Sequence, residues 1–567
     1  VRIPSADQQH FSRIPQSTRP RSSWMRPSRH KHTFDEGYLI PFYVDDVIPG
    51  DTFNVNAQMF ARLATPIFPI MDNMYLETFW FFVPNRLVWD NFVRQHGERP
   101  NPDSSVDFTT PVITVTGVTP AVMSLWDNFG LPMGGSMQTA GMSEVSALPF
   151  RGYYLIWNEW FRDQDLQDSL TVATGDGPDL YSAYGLQRIN KYFDYFTGCR
   201  PAPQKGDAVE LPLGGFAPVW GTQKTNIGAG TITLNNSPIG GSGLDRATTD
   251  GETYGPLMNN MAAGALGGSY NVGARTTSST GSGNVTNAGD FVFLGEAFSK
   301  SVRAAAEAPL EADLSQAAGT TVNAFREAVT IQQVYELDMR GGTRFIEMVF
   351  NHFGVINPDF RLQRPEFLGH SKSPVNIHPV PQTSESGAST PQGNLSAFGT
   401  VSSHRNGFIK SFTEHGYVFG LVCVRGDLTY QNGLDRHWSR QTRFDYYYPA
   451  FANLGEQAVL RKELDVDLTG ADNDLVFGYQ ERWAEYRFKT SKITGLFRSN
   501  AASSLDSWHI AQELTDPVLN ETFIQEDAPV DRVIAVTSEP HFIFDCVVNN
   551  HTARVMPSYS VPGLMRI

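Results

Sequence analysis

Two short stretches carry side chains of a type and spacing that suit ion binding. Asp465-Val466-Asp467-Leu468-Thr469-Gly470 sets oxygen donors at alternate positions and a glycine at the sharp turn, which is how a calcium loop begins. The twelfth position, where a bidentate glutamate belongs, is Val476, and threonine is a poor third ligand. An acidic turn between strands is the plainer reading of Asp465, Asp467 and Thr469, and no metal or other cofactor is expected. His30-Lys31-His32 alternates as ligands on a strand do, yet reads more simply as an exposed basic patch. Paired carboxylates such as Asp45-Asp46 and Glu481 with Glu485 raise the chemistry of a glycosidase, which needs two carboxylates flanking a sugar. The chain contains no HExxH, GxSxG or P-loop motif, and no GxGxxG after a strand. No enzyme is expected.

A different chemistry is written in the tract Arg436, Trp438, Arg440, Arg443, Phe444, Tyr446, Tyr447, Tyr448, and again in Trp483, Tyr486, Arg487, Phe488, Lys489. Basic and aromatic side chains interleave in both. Single-stranded nucleic acid is held without sequence preference by that mixture. Protein interfaces use the same two residue types, with arginine stacked on tyrosine. Both readings stand, and Arg440 and Arg443 are the residues to test for DNA.

The bulk figures constrain the partners. The 567 residues carry a formal charge of −15, so the chain as a whole is not a nucleic-acid binder by electrostatics. Residues 1–32 run against that balance. They hold Arg2, Arg13, Arg19, Arg21, Arg26, Arg29 and Lys31 against Asp7 alone, which leaves −21 for the remainder. Prolines at 4, 15, 20 and 27 interrupt any period, so this is a basic, extended arm that takes its order from partners. Arginine outnumbers lysine 34 to 10, a bias towards buried contact surface. Cys199, Cys423 and Cys546 are odd in number and widely spaced, which argues for a reducing compartment and against a disulfide framework. Arginine and proline interrupt any signal peptide, and the longest apolar runs, such as 417–424, are too short to cross a bilayer, so no membrane insertion is expected.

Behind these residues the elements read as mainly β. Residues 36–64 give two strands about an Ile48-Pro49-Gly50-Asp51 turn, the second alternating strictly. Residues 74–83 form a strand fenced by prolines and apolar on both faces, so it is expected between a second sheet and a further layer. A short aromatic helix is expected near 87–95. A longer one is expected over 148–166, with Tyr153, Ile156, Trp157, Trp160 and Phe161 on one face as core or interface. Residues 207–300 hold 18 of the 50 glycines with few charges, a long polar insert with pieces of strand at 231–234 and 291–294. Helices follow at 323–339 and 343–353, separated by Gly341-Gly342. Late strands are expected at 419–424, 476–489 and 533–548. Early strands, a loop-rich middle and late strands suit a jelly roll with long insertions. The runner-up is a β-sandwich carbohydrate-binding protein or glycoside hydrolase, in which the basic arm has no use.

PIFPIMDNMYLETFWFFVPNRLVWDNF (66–92) resembles the major capsid proteins of gokushovirus-type microviruses, small icosahedral viruses of bacteria. The resemblance continues through HTFDEGYLIPFYVDDVIPGDTF (32–53), NKYFDYFTGCRPAPQKG (190–206), RLQRPEFLG (361–369) and WSRQTRFDYYYPAFANLGEQA (438–458), in the family's order. It lapses only between about 207 and 320. It implies an eight-stranded antiparallel viral jelly roll with long loop and helix insertions. The parts would be a basic arm (1–32), a first part of the roll with helical insertions (33–206), a Gly-rich surface insertion at the threefold axes (207–320), and a helical segment, loops and the remaining strands (321–567). It implies a virion protein, assembled in the bacterial host cytoplasm, of which sixty copies meet through twofold, threefold and fivefold contacts in a T=1 shell around circular single-stranded DNA. The implied partners are that genome, a small basic DNA-packaging protein, a DNA pilot protein and a host cell-surface receptor met by the insertion. On this reading Arg13, Arg19, Arg21, Arg26, Arg29 and Lys31, with Arg440 and Arg443, are the residues expected to face DNA.

Overall fold

The computed structural model of the chain describes residues 20–115, 119–133, 145–207, 209, 322–340, 347, 351–352, 363–384, 387 and 392–559, with six short strand pieces between 219 and 312. The strands are β1 (Ser22–Phe34), β2 (Ile40–Val47), β3 (Thr52–Leu63), β4 (Met74–Pro84), β5 (Glu366–Pro374), β6 (Asn376–Pro381), β7 (Leu395–Ser411) and β8 (Gly416–Gly426). The short β9 (Glu456–Leu460) and β10 (Val476–Glu481) follow, and then β11 (Phe542–Arg554). One sheet has the order β1-β11-β3-β7-β6 and the other β5-β4-β8-β2. Every pairing within the two sheets is antiparallel. From β1 to β4 the chain changes sheet at every step, and β11 returns between β1 and β3. This is a jelly roll, as the mainly-β expectation has it. Eight strands make the roll, and β6 is a ninth on the open edge. Its Pro379 and Pro381 cost least there, because an edge strand leaves one row of backbone groups unpaired.

The sequence of each strand decides which face it buries. In β3 the alternation sends Phe53, Val55, Ala57, Met59, Ala61 and Leu63 inward and leaves Asn54, Asn56, Gln58, Phe60 and Arg62 outside. β4 has no polar face to spare. Leu76, Trp80 and Phe82 join the core between the sheets, while Phe81 and Val83 join a second core on the opposite side. That second core is roofed by α1 (Leu148–Ile156), which widens into a further turn over Trp157–Phe161. Tyr153, Ile156 and Trp157 are buried there as the helical stripe predicts, whereas Trp160 lies at its rim, 37% exposed. Gly152 allows the close approach. A β-carbon at that position would sit 2.9 Å from Phe419 Cζ of β8. The covering layer for the two-faced strand is therefore the chain's own insertion.

One polar cluster inside the roll is tied together by side-chain hydrogen bonds. The Trp80 indole donates to Asn406 Oδ1 at 3.2 Å, and the Asn406 amide donates to Thr78. Asn406 itself sits at a bulge in β7, where the register with β3 shifts between Ser403 and Asn406. A third core packs Tyr195 and Phe196 against Tyr430, Val459 and Phe477 of the long connection from β8 to β11, which carries the β9–β10 hairpin.

Several expectations need correction. Residues 22–32 of the expected arm belong to a paired strand, β1, matched to β11 over its whole length. Proline at 27 and the cations hide its period, and an edge position tolerates both. β10 ends at Glu481, not 489, because Trp483 takes a left-handed conformation (φ 71°) and turns the chain into a short helix, Ala484–Tyr486. The last strand begins only at Phe542. Residues before it form a helical turn, Val530–Arg532, and a single bridge from Ile534 to Pro66. The aromatic helix near 87–95 is two separate turns, Asn85–Leu87 and Phe92–Gln95.

By contact the chain divides into Val1–Lys205 with Glu336–Ile567, and Gly206–Tyr335. The second unit contains the strand pairs Val219–Trp220 with Glu311–Ala312, Thr225–Ile227 with Gly230–Ile232, and Thr248–Thr249 with Glu252–Thr253, and most of α2 (Val322–Arg340). Residues 231–232 lie in one of these strands. The expected strand at 291–294 lies outside the described residues, as does most of the helix expected at 343–353.

Candidate interaction surfaces

Two surfaces gather the residues singled out in the sequence. The first is the outer face of the five-stranded sheet. β1 sets Arg29 and Lys31 outward, while Trp24, Arg26, His30 and His32 turn towards the sheet's other side. Arg26 is thereby committed inward, 2.8 Å from Asp45, with its guanidinium 6.0 Å over the Phe53 ring. Burial, with His30 beside it, lowers the His32 pKa to about 4, and burial lowers that of His30. The two imidazoles are therefore neutral at pH 7, and the expected basic patch shrinks to Lys31. Arg21, just before β1, donates to the Gly50 carbonyl at 2.7 Å and to Thr52 Oγ1 at 3.0 Å. Arg13 and Arg19 lie outside the described residues.

The second surface is the arginine–aromatic tract. It runs as three short helical turns, Arg436–Trp438, Arg443–Asp445 and Pro449–Phe451. Asp445 accepts the N–H groups of Thr442 at 2.6 Å and Gln441 at 3.0 Å, and these bonds hold its carboxyl below the usual range. Arg440 is committed locally. It lies 3.1 Å from Glu485 and 4.4 Å over the Tyr486 ring, and its side chain is 10% exposed. Arg443 is open to solvent with its guanidinium 5.5 Å over Tyr448. Around them Trp438 is 70% exposed and Phe444 61%, with Tyr446, Tyr447 and Tyr486 about half exposed.

Beneath the tract a half-open cavity of about 110 Å³ is lined by Tyr195, Arg436, Arg440, Glu463, Glu485 and Tyr486. Arg436 reaches Glu463 at 3.1 Å and the Ala458 carbonyl at 2.7 Å. Burial raises the Glu463 pKa against the opposing pull of Arg436. With Lys489 and Asp435 also at its wall, three cations meet three carboxylates, so the cavity offers an anion no net charge. What the tract offers instead is a group of exposed aromatic side chains, a residue type enriched at protein contacts.

The calcium-like stretch folds otherwise. Asp467 caps its own turn, accepting the N–H groups of Thr469 at 2.9 Å and Ala471 at 3.2 Å and the Thr469 hydroxyl. Asp465 is partly buried, which raises its pKa. Among the described residues no three His, Cys, Asp or Glu side chains gather as metal ligands. The three cysteines are free and buried. No described helix is long and apolar enough to cross a membrane.

Sequence reasoning missed the outward residues of the central strands, above all Phe60 and Arg62. The strict alternation of 52–63 was the signal that could have found them.

A family described as capsid protein (F protein) matches residues 12–564. The chain is 42% identical to capsid protein VP1 of Bdellovibrio phage phiMH2K over 571 aligned residues, covering 99% of each. It is 40% identical to capsid protein VP1 of Chlamydia phage 1 (100% of this chain, 99% of the relative), and 36% identical to that of Spiroplasma virus 4 (97% and 96%). The resemblance drawn from residues 66–92 and the later blocks is borne out.

Proposed function

Because the chain belongs to the capsid protein (F protein) family, its role is structural and its place is the virion, and we propose that sixty copies close into a T=1 icosahedral shell around circular single-stranded DNA. The observation that carries the reading is the exposed aromatic tract on a jelly roll: Trp438 and Phe444 stand in solvent with three tyrosines, although the fold has buried its other cores. Burying such patches between copies drives association, and point symmetry closes it. Twofold, threefold and fivefold contacts would share this work. Kinship over the whole length with capsid proteins favours this over the carbohydrate-binding or glycosidase alternative.

The DNA-facing side of the reading rests on charge. Arg13, Arg19, Arg21, Arg29 and Lys31 would meet the genome, with Arg443 the more available member of the Arg440–Arg443 pair. Arg26 would contribute less, since Asp45 already holds it. A chain of charge −15 leaves most of the balance to other cations, which is the place of a small basic DNA-packaging protein. A DNA pilot protein would join during assembly in the host cytoplasm. Residues 207–320 would form the surface insertion that meets the host receptor.

Two experiments bear on these points. Nucleic acid extracted from nuclease-treated particles is expected to be circular single-stranded DNA, and particles holding only RNA or duplex would sink that part. Particles lacking 215–315 are expected to assemble and lose adsorption to host cells. Failed assembly would count against a purely external role for the insertion.

A further inference from the structure

The four-stranded sheet is roofed by α1, but among the described residues no element covers the outer face of the five-stranded sheet. Its pairing register fixes what stands there. Lys31 lies opposite Asp545, which lies opposite Phe60, which lies opposite Ser402. One step along, Arg29 faces Val547 and then Gln58, beside the β7 bulge that carries the exposed Arg405. On the other side Arg62 stands between Ile543 and Thr400. Outward cations thus number four, Arg29, Lys31, Arg62 and Arg405, against the single carboxylate of Asp545, in a chain whose total is −15. A polar ladder of Asn54, Asn56 and Gln58 runs up the middle strand. Phe60 is 50% exposed, and towards β6 the Phe398 ring stacks on His378 with centroids 5.0 Å apart.

We infer that this sheet face is a binding surface for single-stranded DNA, read without sequence preference. The inference rests on the proposed DNA-filled shell and goes beyond it by assigning the surface. Cations on a sheet take phosphates, amide side chains take phosphate or base edges, and an aromatic ring standing alone on a flat sheet offers a base a stacking platform. A second copy of the chain fits this face less well. Interfaces between copies deplete charge at their centre and cluster their apolar residues. Here charge runs across the face, from Arg29 and Lys31 on the edge strand β1 through Arg62 on the middle strand to Arg405 at the β7 bulge, and the exposed apolar side chains Met25, Phe60, Ile409 and Ile543 are separated by polar positions. The tract around Trp438 has the opposite character.

The test pairs full-length particles with the unassembled chain. Arg29→Glu/Arg62→Glu shells are expected to form at the wild-type yield and to package several-fold less DNA, read as the 260/280 nm absorbance ratio of purified particles. The unassembled double variant is expected to bind a fluorescent oligothymidylate at least about tenfold more weakly. Its slope of log affinity against log salt should drop by about 0.7 per lost contact. Arg99→Glu, an exposed cation elsewhere, controls for net charge. If the double variant misfolds, Arg62→Gln with Arg405→Gln reads the same salt slope. Wild-type packaging and an unchanged slope overturn the inference. A folded double variant that no longer assembles also overturns it, since the face is then a contact between copies. Should wild-type shells contain no DNA, the wider reading fails while the oligonucleotide titration still judges this face.

Discussion

Arg151 and Asp179 form a forked ion pair at the base of α1. Arg151 Nε and Nη2 donate to the two carboxylate oxygens, each at 2.7 Å, and the arginine side chain is wholly buried. Its remaining nitrogen donates to the Val88 carbonyl at 3.0 Å and the Gly175 carbonyl at 2.8 Å. One side chain thus ties the helix to the turn after β4 and to the loop before Tyr181. Tyr184 donates its hydroxyl to the same carboxylate at 2.6 Å. With every donor satisfied, the pair orients the roof over the second core instead of merely tolerating burial.

Arg151→Ala removes one partner and strands Asp179 in the interior. It is expected to lower the stability of the unassembled chain by about 3–5 kcal/mol. Chemical denaturation checks the figure. Arg151→Met with Asp179→Leu should recover much of the loss, because an apolar pair leaves no buried charge behind.

Gly152→Leu tests the packing of α1 directly. A β-carbon there already crowds Phe419, so a longer side chain must lift the helix from β8. The expected effect is about 1–3 kcal/mol of destabilisation, with increased amide exchange confined to α1 and its neighbours. An unperturbed melting temperature would show that the roof is not pressed against the sheet.

His541 sets a pH dependence. Burial alone would lower its pKa, but Glu36 on one ring nitrogen and Asp531 at 3.0 Å on the other outweigh it and raise the pKa to about 9. Because the folded value exceeds the ordinary value of about 6.5, the pair's contribution is complete below that value. It is lost as pH rises through about 9. Stability is expected to fall between those limits in the wild type and to be flatter in His541→Ala. Denaturation midpoints across that window decide it.

Much of the framework was legible because it is local. The alternation of 52–63 fixes the faces of β3, and the apolarity of 74–83 on both faces announces a third layer, which the stripe of 148–161 supplies. The parts that escaped depend on pairing distant in sequence. β1 is recognisable only once β11, some five hundred residues later, lies beside it, and that register is what turns Arg26 inward and Arg29 outward. Asp179 carries no sign in the sequence that Arg151 will claim it. The acidic run at 465–469 suggested ligands, but Asp467 spends its oxygens on its own turn. The arginines of the tract were visible, whereas the glutamate opposite Arg440 comes from a separate segment at 485.

Trp438→Glu tests the role given to the aromatic tract. The side chain is 70% exposed in the single chain, so the folded monomer should keep its melting temperature to within a degree or two. Assembly should fall by at least about tenfold, as one charge is buried at each copy of the contact. Particle yield on a sucrose gradient reads it. Normal yield would remove this tract from the shell contacts.

The central claim is tested most directly by the native mass of particles recovered from expressing cells. Sixty copies of a 62.9 kDa chain give a protein shell of about 3.8 MDa, whatever nucleic acid it holds. A single species whose native mass, less that of its extracted nucleic acid, has that value, with icosahedral outlines in negative stain, is the predicted result. A chain that stays monomeric with DNA and a basic partner present, or a particle whose protein mass corresponds to another copy number, would contradict it.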